Sequence, residues 1–147
     1  MHLADDRATL DFGAALAARL RPGDVVALSG DLGAGKTTLA RGILAALGLA
    51  GEAPSPSFAI VQHYAPPETR IEVAHIDLYR IDDPDEAAEL GLDDLAHDHL
   101  LLIEWPERLG ASPLLAGALS IRIAPVEGGG RALTLGLPAA WEARWPA

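Results

Sequence analysis

The run Gly30-Asp31-Leu32-Gly33-Ala34-Gly35-Lys36-Thr37 fits the pattern G-x-x-x-x-G-K-[ST], a loop that wraps backbone N–H groups around nucleotide phosphates. In a chain of 147 residues such a match arises by chance on the order of once per hundred or fewer. Each part has a task. Gly30, Gly33 and Gly35 let the backbone curl, and Asp31, Gly33, Ala34, Gly35, Lys36, Thr37 and Thr38 form the phosphate-binding stretch. Lys36 is the only lysine among eleven basic residues, a compact ammonium suited to β- and γ-phosphates. Thr37 offers its hydroxyl to Mg²⁺. Two further carboxylates belong to the same chemistry. Glu104 ends the apolar run Leu100-Leu101-Leu102-Ile103, the form of a strand that brings an acidic group to Mg²⁺ directly or through water. A strand end merely meeting solvent is the alternative. Asp77, in His75-Ile76-Asp77-Leu78-Tyr79-Arg80, shares a strand face with His75 by period two. It serves either the metal or the attacking water, or it lies on a half-exposed strand face.

The elements that must hold these groups are legible on either side. Val25-Val26-Ala27-Leu28 has the unbroken apolar character of a parallel-sheet strand, and Thr38 to Leu47 carries Leu39, Ile43, Leu44 and Leu47 at helical spacing before Gly48. Strand, loop and helix then aim a helix N-terminus at the anion. Upstream, Asp5 to Leu20 is an amphipathic helix with Phe12, Leu16 and Leu20 on one side, closed by Arg21-Pro22-Gly23-Asp24. Downstream, Gly51 to Ser57 is a proline- and hydroxyl-rich loop, a solvated connector or a γ-phosphate-sensing switch. Phe58 to Tyr64 and Ile71 to Tyr79 read as strands joined through Ala65 to Arg70 as a hairpin. Asp83-Pro84-Asp85-Glu86 starts a helix that ends near Gly91. Leu119 to Ala124 and Ala132 to Leu137 form a second hairpin around Glu127 to Arg131, and Trp141 and Trp145 pack on the body. The expected fold is α/β: one P-loop NTPase domain over residues 1–147, with a mixed, mostly parallel central sheet flanked by helices and antiparallel hairpins.

Composition narrows the function. Half of the residues are hydrophobic, enough for a real core, and there is no cysteine to form a disulfide or a thiolate metal site. A net charge of −10 opposes a broad nucleic-acid footprint, which rests on Lys and Arg. No run of about 18 apolar residues and no signal pattern is found, so a cytoplasmic protein without membrane contact is expected. Asp82 to Asp98 contains eight acidic residues and no Lys or Arg, a solvated face or a dock for a basic partner.

Taken together, GDLGAGKTTLARG, Ser55-Pro56-Ser57-Phe58, His75 to Arg80 and Ile103-Glu104-Trp105-Pro106 resemble, in order and spacing, the TsaE family of small bacterial P-loop ATPases. Thr9 to Gly13 and Gly130-Arg131 resemble the family's end segments. The resemblance implies ATP and Mg²⁺ as cofactors, and a complex with TsaD and TsaB proteins that makes N6-threonylcarbamoyladenosine in tRNA, with tRNA met only through that complex. It further implies phosphate and metal roles for Lys36, Thr37 and Thr38, a metal ligand in Glu104, and an acidic residue needed for activity in Asp77. Thr9 and Arg131 would lie beside the nucleotide, and Ser55, Pro56 and Ser57 would form the switch loop. Ser57 departs from the family's usual Thr, keeping the hydroxyl and losing the methyl.

Rival classes are separable. A small-molecule kinase needs an acceptor pocket and usually an arginine-rich lid, whereas Arg7, Arg19, Arg41, Arg70, Arg108, Arg122 and Arg144 are scattered. A GTPase would carry a guanine-reading Asn-Lys-x-Asp, which a chain with one lysine cannot contain beside its P-loop. A nucleotide-gated binding module with negligible turnover overlaps with the ATPase reading.

Overall fold

Among the described residues seven strands form one sheet in the order β1-β7-β6-β2-β5-β4-β3. A computed structural model describes residues 1–31, 33–51, 53 and 60–144. The four inner strands are β2 (Val25–Ser29), β4 (Val73–Asp77), β5 (Leu100–Glu104) and β6 (Leu119–Pro125), and they run parallel to one another. Antiparallel partners complete both edges: β3 (Val61–Tyr64) beside β4, and β7 (Arg131–Gly136) beside β6, followed by the two-residue β1 (His2–Leu3). Both expected hairpins are present, and the sheet is parallel where the phosphate loop leaves it.

Why the inner strands lack polar alternation follows from what covers them. On one face Val26, Leu28, Val73, Leu100 and Leu102 meet Leu16, Leu39, Ile43 and Leu44 of helices α1 (Asp6–Ala17) and α2 (Lys36–Ala46). On the other face Val25, Ala27, Ala74, Ile76, Leu101 and Ile103 meet Ala87, Leu92 and Leu109 from the short helices α3 (Pro84–Ala88) and α4 (Leu92–Leu95) and the 3-10 turn Pro106–Leu109. Period-two residues thus serve two cores.

Helix α1 starts where expected, because Asp5 Oδ1 accepts from Ala8 N at 2.8 Å, but it ends at Ala17 rather than Leu20. It crosses α2 at backbone contact. A Cβ on Gly13 would lie 2.8 Å from Leu39 O, and one on Gly42 2.6 Å from Leu10 O. Gly13 is therefore a packing residue between helices. Asp83 caps α3 through Asp85 N, with Pro84 at the first helical position as expected. Gly91 at φ +68° then allows α4, which periodicity did not reveal. Trp141 is buried, and Arg144 lies 4.1 Å over its ring while pairing with Asp24 at 2.6 Å, so the last helix α5 (Ala139–Glu142) is tied to the turn before β2. Trp145 lies outside the described residues. Among the described residues no helix is long and apolar enough to cross a membrane.

Candidate nucleotide site

The loop after β2 opens at the carboxyl end of the parallel strands, where α/β sheets place their ligands. Gly35 caps α2 at φ +113°, a conformation costly for any residue with a Cβ, and a Cβ there would lie 2.8 Å from Arg131 Cζ. No side chain caps this helix and no acidic residue stands in its first turn. Its first N–H groups and the positive end of its dipole are left for an anion. A cavity of about 180 Å³ lies there, lined by Gly33, Gly35, Lys36, Thr37, Thr38, Asp77, Glu104, Trp105 and Arg131. Its size suits phosphates rather than a whole nucleotide. A larger cavity of about 330 Å³ beside α3 and α4 is lined by Asp93 and Asp94 and, among the described residues, by no Lys or Arg, so its charge opposes a phosphate.

Lys36 is 4% exposed. Its ammonium donates to Gly30 O and, at 2.9 Å, to Asp31 O, and stands 4.1 Å from the centroid of the Trp105 ring. Burial pushes its pKa below the usual lysine value, opposed by the carboxylates of Glu104, Glu107, Asp77 and Asp31. Trp105 takes φ +61° as the chain turns from β5 into the 3-10 turn, and Tyr79 lies 5.0 Å from it, ring to ring. Trp105 was not a predicted site residue; the signal for it was its place directly after Glu104.

The carboxylates converge opposite the lysine. Thr37 Oγ1 donates to Glu104 Oε1 and Oε2 at 3.0 and 3.2 Å, and His75 Nε2 stands 2.6 Å from Glu104 Oε2. Asp77 is the register partner of Glu104 on the next parallel strand, and Tyr79 N donates to Asp77 Oδ1 at 2.9 Å. Exposures of 2% for Glu104 and 5% for Asp77 exclude both the solvent-meeting strand end and the half-exposed strand face. One hydroxyl and two carboxylates make an all-oxygen donor set, which fits Mg²⁺ and not a soft metal.

The remaining expected residues are placed less uniformly. Thr38 lines the cavity, Asp31 is exposed and meets the site through its carbonyl, and Ala34 packs its methyl in the core while its N–H bonds Asp31 O at 3.0 Å. Thr9 does not line the cavity. It is fully buried behind Arg131, whose Nη1 donates to Thr9 Oγ1 at 3.0 Å and pairs with Asp6 at 2.6 Å. Ser55, Pro56 and Ser57 lie outside the described residues.

The family profile described as threonylcarbamoyl adenosine biosynthesis protein TsaE matches residues 3–133. The chain belongs to the TsaE family. It is 40% identical over 109 residues to the tRNA threonylcarbamoyladenosine biosynthesis protein TsaE of Rickettsia typhi, covering 73% of this chain and 74% of that one. A protein of the same name from Nostoc sp. is 39% identical over 116 residues, covering 76% and 70%. The crystal structure of YdiB from Bacillus subtilis superposes with a TM-score of 0.79 at 29% identity, covering 97% of this chain and 88% of that one. The P-loop, both carboxylates and Arg131 of this TsaE-family chain all fall within the matched residues.

Proposed function

We propose that this chain binds Mg²⁺-ATP at the loop after β2 and hydrolyses it slowly alone, as the ATPase component of the machinery that makes N6-threonylcarbamoyladenosine in tRNA. TsaD-like and TsaB-like proteins would be its partners, and tRNA would be reached through them. The observation that carries the reading is the Thr37–Glu104 pair of 3.0 Å beneath an uncapped helix N-terminus that also presents a lysine. When bound, Mg²⁺ would neutralise phosphate charge, held by Thr37 and Glu104. The first-turn N–H groups of α2 receive phosphate oxygens, and Lys36 exchanges the carbonyls of Gly30 and Asp31 for them. Arg131, held by Thr9 and Asp6, closes over Gly35. Asp77, oriented by the Tyr79 N–H, holds the attacking water.

A low basal rate follows from the same geometry. Beside Lys36, Arg131 is the only arginine lining the cavity among the described residues, so little stabilises charge on the transferring phosphoryl without help. The single-arginine lining also weighs against a small-molecule kinase. Products distinguish the classes: ATP, GTP and candidate acceptors are incubated with the chain, and labelled phosphate is followed. Release of inorganic phosphate from ATP supports the proposal, and transfer to an acceptor would replace it by the kinase reading. Nucleotide binding without release, with or without partners, would leave a nucleotide-gated binding module.

A further inference from the structure

We infer that His75 is a positioning residue for Glu104, holding that carboxylate against Thr37 from inside the sheet. His75 is 0% exposed on a strand whose five residues are all buried. Its register partner on β5 is Leu102, two residues before Glu104, so the imidazole reaches Glu104 along the diagonal of the same sheet face. Around it that face is apolar: Val73, Leu100 and Leu102.

An imidazole in such a layer is costly unless its polar atoms are used. Here only one is. Nε2 lies 2.6 Å from Glu104 Oε2, while Nδ1 has no partner among the described residues. A histidine kept merely as a satisfied core residue would have both nitrogens bonded; this one gives up the second and keeps Glu104. Because an ionised carboxylate only accepts, the proton of the contact belongs to Nε2. Glu104 Oε2 then receives His75 and the weaker branch of the Thr37 bond, and Oε1 receives Thr37 alone. His75 thus holds Oε2 from inside the sheet, and Oε1, bonded only by the hydroxyl of Thr37, is the oxygen that faces a cation shared with Thr37. Such outer contacts typically carry ~10–100-fold in metal affinity.

The inference rests on the proposed function, in that Glu104 is taken as a metal ligand. Its test uses Mn²⁺ as the probe, read by electron paramagnetic resonance with ADP present, beside ADP affinity measured in EDTA. Gln can place an amide N–H where Nε2 stands, whereas Asn is too short and Leu has no donor. Expected are Mn²⁺ affinity within about threefold of wild type for His75→Gln, a loss of about tenfold or more for His75→Asn and His75→Leu, and unchanged ADP affinity in EDTA for all three. The Gln–Asn contrast stands even where His75→Leu does not fold. Wild-type Mn²⁺ affinity in the Asn variant would overturn the inference, and so would equal losses in Gln and Asn, which would mark His75 as structural. A wild-type chain that binds no Mn²⁺ would instead overturn the reading of the site beneath it.

Discussion

Asp77 and Glu104 are register partners at the carboxyl ends of adjacent parallel strands, both almost fully buried, and only Glu104 is bonded to Thr37. That asymmetry divides their work. Thr37→Ala and Glu104→Ala should each raise the Mg²⁺ concentration needed for tight ATP binding by about tenfold or more, whereas Asp77→Asn should lower turnover by ~10²-fold with binding nearly kept. Calorimetric titration of ATP at several Mg²⁺ concentrations, with kcat measured alongside, separates them. If Asp77→Asn loses binding and Glu104→Ala does not, the two roles are exchanged.

Two buried carboxylates side by side repel, so a divalent cation should also stabilise the fold. Thermal unfolding with ADP should show a higher midpoint in Mg²⁺ than in EDTA. The Glu104→Ala variant should lose most of that difference; a midpoint indifferent to Mg²⁺ in the wild type would speak against a metal at this place.

The P-loop, its strand and helix, and Glu104 were legible because their signals are local: a fixed glycine spacing, an apolar run, a carboxylate at its end. What periodicity could not supply was pairing. That β5 inserts between β2 and β4, bringing Glu104 to Thr37 and Asp77, depends on crossovers between segments far apart in the chain. His75 was visible as sharing a face with Asp77, yet its reach to Glu104 needed that order. From its own surroundings in the sequence Arg131 is a cation on a turn, and the resemblance alone put it beside the nucleotide; β7 sets it against Gly35, and its link to Thr9 spans most of the chain. Short elements were lost for a different reason: β1 has two residues and α4 four, too few for a period to show.

Arg131 and Thr9 should act as one unit. Arg131→Ala is expected to weaken ATP binding by about tenfold, and Thr9→Val, which removes the hydroxyl that accepts from Arg131 and donates to Asp5 O, to weaken it less in the same direction. The double variant should be no worse than Arg131→Ala alone. Additive losses measured by calorimetry would show that Thr9 touches the nucleotide itself.

Lys36 also sets a pH dependence. Phosphate binds the ammonium form, and desolvation lowers the pKa of this group in the free protein below its usual 10.5. Affinity should thus be constant below that lowered pKa and fall as pH rises through it. Lys36→Arg, whose cation persists, should give a flat profile over the same alkaline range. A wild-type profile as flat as that of the Arg variant would contradict an ammonium–phosphate contact.

All eight acidic side chains between Asp82 and Asp98 are exposed. If they steer a basic partner, neutralising Asp93, Asp94 and Asp98 to Asn should slow association with the TsaD-like and TsaB-like proteins several-fold and flatten its salt dependence. Stopped-flow mixing at two ionic strengths reads both. Unchanged rates would remove this face from the encounter.

One assay tests directly whether the loop after β2 is an ATP-hydrolysing site completed by partners. Phosphate release from Mg²⁺-ATP is measured for the wild type and for Lys36→Ala, each alone and with the TsaD-like and TsaB-like proteins, after thermal unfolding has established that the variant folds. Predicted are slow release by the wild type alone, strong stimulation by the partners, and a loss of at least ~10²-fold in the variant under both conditions. Equal release by wild type and Lys36→Ala would contradict the site, and full activity of the isolated wild type without response to the partners would contradict its activation.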